Sequence, residues 1–307
     1  MTGVQTCALP IFVRRTSTLS RSRLKHLFDN PAIYGKQLFL HYADLDDATT
    51  LRRILGKVRP QEIYHLAGQS HVGLSFEIPE STCEMTATAT LRLLEIIRDL
   101  PGSPRCYHAS SSEVFGNPVQ VPQDEETPFN PTSPYGCAKA FATQMVRVYR
   151  QAFGLFACNG ITYNHESPRR GENFVTRKIC RAAAAIKLGI EKELILGDLT
   201  AQRDWGDARD YVRGMWLTLQ HDTPEDFVFA TGVLHSVQDI VEEAFNAVGL
   251  EWKTYVRQGE RFMRRAEPHR LVGNPAKARS LLQWNPQPSF DALIQEMTQA
   301  ELADLSR

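Results

Sequence analysis

The chain of 307 residues contains no run of eighteen or more apolar residues, so no membrane-spanning helix is expected. Its first dozen residues lack the basic segment and long apolar stretch of a secretory signal. Neither sign of charge is in excess, with Lys plus Arg and Asp plus Glu at 35 each. A nucleic-acid partner is therefore not expected, although local basic clusters can still bind a phosphate. The six cysteines, Cys7, Cys83, Cys106, Cys137, Cys158 and Cys180, form no CxxC pair and show no regular spacing. Four of them lie in apolar or helical stretches, which reads as reduced, core-filling thiols of a cytoplasmic protein, and no metal is expected. Internal repeats and low-complexity segments are also missing.

What is present is an alternation of strands and helices. Gln37 to Ala43, Glu62 to Ala67, Arg105 to Ala109 and Phe156 to Tyr163 have strand patterns. Between them lie an amphipathic stretch carrying Leu51, Ile54, Leu55 and Val58, a helical region from Pro79 to Leu100, and a helix opening at Ser133-Pro134. This order predicts a parallel, doubly wound α/β sheet of the Rossmann kind, with helices on both faces. Ligands of such sheets bind at the carboxyl ends of the strands, where Asp44, Gly68, Ser111 and Asn164 fall. Beyond Asn164 the spacing predicts a polar loop from His165 to Gly171 and a tight polar turn at Arg203-Asp204-Trp205-Gly206. Further on, one helix carries Val212, Met215, Trp216 and Leu219, and another is boxed by Ser236 and Asp239 and stopped by Gly249.

Chemistry concentrates between Ser110 and Lys139. Tyr135 and Lys139 are four apart, which places them on one face of a helix, one turn apart. An ammonium and a helix N-terminus both favour an ionised phenol, which predicts a Tyr135 pKa lowered towards general-base range. Ser110 to Ser112 and Glu113, at the end of a strand, add hydroxyls and a second proton-transfer group. A tyrosine four residues before a lysine is on its own more often a surface accident. The paired context gives it weight.

The hydroxyl–Glu group and the Tyr-x-x-x-Lys, each after its own strand, resemble the extended short-chain dehydrogenase/reductases. The run Asn164 to Lys178 (NHESPRRGENFVTRK) narrows this, since it is similar to the signature loop of the GDP-mannose 4,6-dehydratase family. Leu66 to Val72, Arg203 to Gly206, and Arg264 with Glu267 ahead of Gly273 resemble the same family, as does the 22-position separation of Glu113 and Tyr135. The similarity runs from about Val13 to about Trp284.

That resemblance implies oxidation of the C4 hydroxyl of GDP-mannose with hydride passing to NADP, loss of water from C5 and C6, and return of the hydride to C6. It assigns Tyr135 as the base at O4, Ser111 as the hydroxyl holding O4, Glu113 as the base at C5, and Lys139 as the partner of Tyr135 and of the nicotinamide ribose. The family usually has threonine at Ser111; serine keeps the hydroxyl and loses only a rotamer-restricting methyl. NADP contacts are implied for Arg14, Arg15, Ser17, Asp44, Leu45, Leu66, Ala67, Gly68, Gln69, Ser70, His165 and Arg170. The GDP-sugar falls to Asn164, Arg203, Arg264 and Glu267. His71 and Trp205 read as packing residues. A cytoplasmic homodimer or homotetramer and a place in nucleotide-sugar metabolism leading to GDP-fucose are implied as well.

Residues 13–165, with 205–232 returning to them, would form the NADP-binding domain; 166–204 and 233–307 would form the substrate-binding region. The family opens with a strand and a glycine-rich turn that seats the cofactor's pyrophosphate. Before Arg14 there is only Gly3. Residues 1–12 therefore read as a foreign leader, with the first strand and glycine turn missing. Ser81, Arg265 and Pro268 also depart from the family's usual residues. Two other functions stay open: a reductase or epimerase of the same branch, and a catalytically dead remnant that serves at most as an oligomer or binding partner. Glu113 separates the first of these from a dehydratase, because those reactions need no base at C5. A Glu113→Gln chain should accumulate the C4-oxidised sugar nucleotide, detected by mass spectrometry; unimpeded loss of water would remove Glu113 from that role.

Overall fold

The computed structural model describes residues 9–14, 22–259 and 270–307. In chain order the strands are β1 (Leu9–Val13), β2 (Leu38–Tyr42), β3 (Glu62–His65), β4 (Arg105–Ala109), β5 (Ala157–Thr162) and β6 (Asn164–Glu166). They continue with β7 (Leu194–Leu196), β8 (Gln202–Arg203), β9 (Trp205–Asp207), β10 (Phe227–Phe229), β11 (His235–Ser236) and β12 (Val256–Gln258). Four strands form a parallel sheet in the order β10-β5-β4-β3.

Both faces of this sheet are covered, and the pleat decides which side chain goes where. On one face Cys106, Ala157 and Ile63 pack against Leu51 and Leu55 of the helix Ala48–Val58 and against Leu93, Leu94 and Ile97 of the helix Ala89–Arg98. On the other face their neighbours Tyr107, Cys158 and Tyr64 meet Tyr211 and Met215 of the helix Ala208–Gln220, together with Phe227 and Trp284. This is the doubly wound arrangement that the strand–helix alternation predicts. A second core lies among the helices Val175–Lys187, Val237–Asn246 and Phe290–Leu305, where the run Ala182 to Ala185 is buried throughout.

Several expectations need correction. Residues 9–12, read as part of a leader fitting neither helix nor strand, are extended in β1, which pairs in parallel with β2 from Leu9↔Leu38 to Val13↔Tyr42. The apolar LPIFV run suits a strand, and Pro10 is tolerable because β1 is hydrogen-bonded along one side only. The β1–β2 pair is separate from the four-stranded sheet, with no ladder between β1 and β3. The region Pro79 to Leu100 is helical from Pro79 to Arg98 but widens into a π turn at Glu84–Thr88. Asn164 to Glu166 and Trp205 to Asp207, read as loop and turn, pair as the short parallel strands β6 and β9. Strands of three residues are too short to show a period. On the helix Ala208–Gln220 the buried stripe is Tyr211, Met215 and Leu219, while Val212 and Trp216 are exposed. Of the cysteines, Cys106, Cys158 and Cys180 are buried, Cys83 and Cys137 are exposed, and Cys7 lies outside the described residues.

A buried ionic group ties the sheet to the helix Pro134–Phe153. The Asp226 carboxylate, just before β10, accepts from Arg147 Nε at 2.6 Å, Arg150 Nη1 at 2.9 Å, and both the backbone N–H and the Nδ2 of Asn159 in β5. Burial alone would raise its pKa, but the bonds and charge of Arg150 and then Arg147 outweigh this and hold it below the usual value. Its contribution to stability is therefore present above the ordinary aspartate range and is lost as pH falls through the folded value. Removing one partner of such a group strands the others, a loss of roughly 3–5 kcal/mol. Asp226→Ala should lower the urea midpoint accordingly and flatten the acid limb of stability against pH; a midpoint within error of the parent would contradict this account.

Candidate active site

The site is built where the helix Pro134–Phe153 meets the carboxyl end of β4. Ser133 caps the helix by accepting from the Gly136 N–H at 3.0 Å, and Pro134 takes the first position, where no N–H is needed. Tyr135 thus stands in the first turn and Lys139 in the second, both buried. Gly136 lets the helix come close: a Cβ there would lie 2.6 Å from the backbone oxygen of Glu113. Lys139 Nζ donates to Ala109 O at 2.7 Å. Thr143, one turn on, donates to Lys139 O at 2.8 Å and accepts from Ser110 Oγ at 2.7 Å, and its own carbonyl accepts from Asn159 Nδ2 at 3.2 Å. The helix is therefore registered on β4 and β5 by buried polar bonds as well as by packing.

Ser111 and Glu113 sit in the 3-10 turn that follows β4, with Ser111 Oγ accepting from the Glu113 N–H at 3.3 Å. Ser111 also hydrogen-bonds the Tyr135 phenol, and Glu113 and Arg170 are close enough to act on it electrostatically. The predicted lowering of the Tyr135 pKa is not what the chain alone produces. Burial pushes the phenol up to about 12; the Ser111 bond and the Arg170 charge lower it, and Glu113 raises it. Desolvation of the phenolate outweighs the favourable groups. Lys139, with its Nζ 5.9 Å from the Tyr135 ring centroid, is itself pushed down to about 8 by burial.

Around this centre the other candidates divide. His165, in β6, donates from Nδ1 to Tyr163 O at 2.8 Å and stacks on Tyr211 at 4.8 Å. Burial holds it down at about 4, so it is neutral with Nε2 as an acceptor. Leu66, Ala67, Gly68 and Ser70 form an exposed ledge beyond β3. Gly68 has a φ of +150°, and a Cβ there would lie 3.3 Å from Thr86 Oγ1, a buried hydroxyl with no partner among the described residues. Gln69 bonds His71 O. Asn164 pairs in register with Trp205, two residues from Arg203, which is buried and donates to Gln202 O at 2.7 Å. Arg14 and Asp44 form an ion pair of 2.9 Å beside Leu45, on the separate β1–β2 sheet. Arg15, Ser17, Arg264 and Glu267 lie outside the described residues. A cavity of ≈ 700 Å³ opens between Arg23 and His26 on one side and Pro168, Arg169, Glu172, Asn173 and Arg177 on the other; Ser111, Tyr135 and Lys139 do not line it.

A nicotinamide nucleotide suits this geometry at two ends. The exposed, side-chain-poor ledge at Ala67 and Gly68, the partnerless Thr86 hydroxyl behind it and the Lys139 ammonium offer a seat beside Tyr135. Arg14 and Asp44 offer a cation and an acceptor for an adenosine. A sequence model described as GDP-mannose 4,6 dehydratase matches residues 5–297. The chain belongs to the GDP-mannose 4,6-dehydratase family. It is 48% identical over 295 residues to GDP-mannose 4,6 dehydratase 2 of Arabidopsis thaliana, covering 94% of this chain and 79% of the relative. The GDP-mannose 4,6-dehydratase of Sinorhizobium fredii is 47% identical over 311 residues, 95% of this chain and 89% of that one. The human GDP-mannose 4,6 dehydratase is 45% identical over 310 residues, 94% and 83%. Among solved structures, DesIV of Streptomyces venezuelae, a dTDP-glucose 4,6-dehydratase with NAD and TYD bound, shares the fold with a TM-score of 0.85 at 24% identity, covering 99% of this chain and 90% of that one. The family match begins eight residues before the Val13 at which the similarity was read and runs past Trp284.

Reading the sequence missed Glu166, Thr143 and Asn159. Thr143 and Asn159 carry no motif, and Glu166 was hidden inside the signature loop. Gly136 tests the local geometry. Gly136→Ala forces its methyl into the Glu113 carbonyl, a loss of about 1–3 kcal/mol, and should shift Tyr135 off Ser111. Circular dichroism melts and the near-ultraviolet tyrosine signal should both change; an unaltered melt would show that the contact relaxes freely.

Proposed function

We propose that this chain dehydrates GDP-D-mannose to GDP-4-dehydro-6-deoxy-D-mannose, with NADP as a recycled cofactor. The observation that carries the reading is the juxtaposition of Ser111, Glu113 and Tyr135 at the end of β4 in a chain of this family. When bound, NADP supplies acceptance of a hydride from C4 and its return at C6. The chain's residues do the rest. Tyr135 takes the proton from O4 while Ser111 holds that oxygen. The C4 carbonyl acidifies the C5 proton, which Glu113 takes and passes to O6 so that water leaves from C6; C5 regains a proton from solvent when C6 receives the hydride. Lys139 stands behind Tyr135 as a nearby cation and a donor to the nicotinamide ribose.

The cofactor would be held by Arg14, Arg15 and Ser17 at the adenosine phosphate, Asp44 and Leu45 at the adenine, Leu66 to Ser70 along the ribose and phosphates, and Lys139, His165 and Arg170 at the nicotinamide. A planar guanidinium suits the phosphate because it can bond two oxygens at once. Asn164, Arg203, Arg264 and Glu267 would hold the GDP-sugar. Residues 13–165 and 205–232 act as the cofactor domain, and 166–204 and 233–307 as the substrate side, in a cytoplasmic homo-oligomer. The absence of any helix long and apolar enough to cross a membrane among the described residues is compatible with that setting.

One observation favours a second reading, a folded chain that holds no cofactor: the parallel strands fall into two sheets, β1–β2 and β10-β5-β4-β3, with no shared ladder. The 307-residue protein should bind NADP stoichiometrically by titration calorimetry and convert GDP-mannose to a product with a C6 methyl resonance in proton NMR. Binding of NADP with GDP-mannose left unchanged would sink the dehydratase reading. Absence of NADP binding would favour the second.

A further inference from the structure

The buried carboxylate of Glu166 has no part in the chemistry above, yet it is built into the site with care. It ends β6 and is 2% exposed. Its Oε2 accepts from Thr176 Oγ1 at 2.7 Å and lies 3.1 Å from Arg170 Nε. The Arg170 guanidinium carbon lies 3.6 Å from the Phe174 ring centroid, in cation–π range. Its backbone is held too, since the N–H donates to Ser167 O at 2.9 Å and the carbonyl accepts from Arg177 Nη1 at 2.6 Å. Arg170 Nε–H is not aligned on the carboxylate and has no other acceptor among the described residues. The contact is therefore a held ion pair, with donor capacity left over.

A carboxylate this deep costs several kcal/mol unless it is paired. Burial raises its pKa, and Arg170 and then Thr176 oppose the rise without cancelling it. Each member of the pair keeps the other in place. The Arg170 charge acts on the Tyr135 phenol, whose other polar and charged neighbours are Ser111, Glu113 and, on its own helix, Lys139. Besides Arg170 and Thr176, Glu166 is felt by Cys180 and Tyr211.

We propose that Glu166 is a positioning residue: with Thr176 and the Phe174 ring it fixes the Arg170 guanidinium beside Tyr135, making Arg170 a built-in positive charge for the tyrosinate. The inference rests on Tyr135 being the base. If Arg170 stayed where it is, Glu166→Gln would remove a negative charge and make ionisation of Tyr135 easier. If Glu166 is what holds Arg170, the same change releases the guanidinium and makes ionisation harder.

The experiment compares the native chain with Glu166→Gln, Arg170→Gln and Glu166→Asp in the pH dependence of kcat, at saturating GDP-mannose and NADP. The acid limb should move up by about one pH unit in Glu166→Gln and in Arg170→Gln, equivalent to about tenfold less ionised phenol on that limb. Glu166→Asp should restore part of the shift. An acid limb that moves down or stays in place in Glu166→Gln overturns the proposal. Should the native chain convert no GDP-mannose, that failure belongs to the dehydratase reading. The positioning role is then read from exchange of the Arg170 Nε–H by nitrogen-15 NMR, expected to be at least tenfold faster in Glu166→Gln, and overturned if unchanged. Thr176→Val, which spares the carboxylate and removes the hydrogen bond it accepts from Thr176 Oγ1, gives the same two readouts if Glu166→Gln does not fold.

Discussion

The site depends on how closely one helix can approach the end of one strand. Lys139 reaches the last carbonyl of β4, Gly136 leaves no side chain between the helix and Glu113 O, and Thr143 bridges Lys139 O and Ser110 Oγ. Each contact fixes a different degree of freedom: height along β4, distance from the turn, and rotation of the helix about its axis. Ser111, Glu113 and Tyr135 share a site because all three are fixed at once. A helix packed by its apolar stripe alone would leave rotation and height loosely set, because burial carries no direction.

Tight approach has an electrostatic consequence. Taking Tyr135 and Lys139 out of water disfavours the charged form of each, so the phenol rises to about 12 and the ammonium falls to about 8. The two shifts oppose the ionised pair that the spacing suggests. Ionising the buried phenol needs help that a nearby lysine does not supply alone. The Ser111 hydroxyl and the Arg170 guanidinium act in the right direction, and Glu113 acts against them. A carboxylate near a phenol makes ionisation of that phenol harder. The Arg170 charge works against that effect.

The sequence made the catalytic half legible because its signals are local. Ser133-Pro134 is a helix start whatever surrounds it, the Tyr135–Lys139 spacing fixes a shared face, and Ser236 with Asp239 forms the capping box that its pattern announces. Strands β3, β4 and β5 were readable from β-rich runs, to within a residue or two at their ends. What stayed hidden was non-local. Strands β6 and β9 are three residues each and exist because they pair with one another, 41 positions apart from Asn164 to Trp205. The alternation of Tyr107 and Cys106 between two cores needs the helices in place before it means anything. Glu166 looked like one more polar residue in a basic loop until burial and the positions of Arg170 and Thr176 were known. Tyr135 was misjudged for a related reason: spacing gives the neighbours of a group but not its desolvation.

The turn between β8 and β9 shows the same logic. Asp204, fully buried between β8 and β9, accepts from Thr231 N at 2.8 Å, Thr231 Oγ1 at 2.7 Å, Gly232 N at 2.9 Å and Gly273 N at 3.3 Å. Burial raises its pKa, and these four donors oppose the rise. A carboxylate can satisfy several backbone donors at once, where a carbonyl has room for two. Three of its four bonds go to main-chain N–H groups, so the segments beyond β10 and around Gly273 are held chiefly by their backbones. Arg203 is the residue before Asp204, on β8, and β9 carries Trp205 into register with Asn164. The buried anion therefore holds in one place the strands that carry Arg203 and, through pairing, Asn164. Such a centre is a costly device for stability alone, since apolar residues of equal volume often serve as well. Its value lies in direction: four bonds to one carboxylate set angles as well as distances, which packing alone cannot supply.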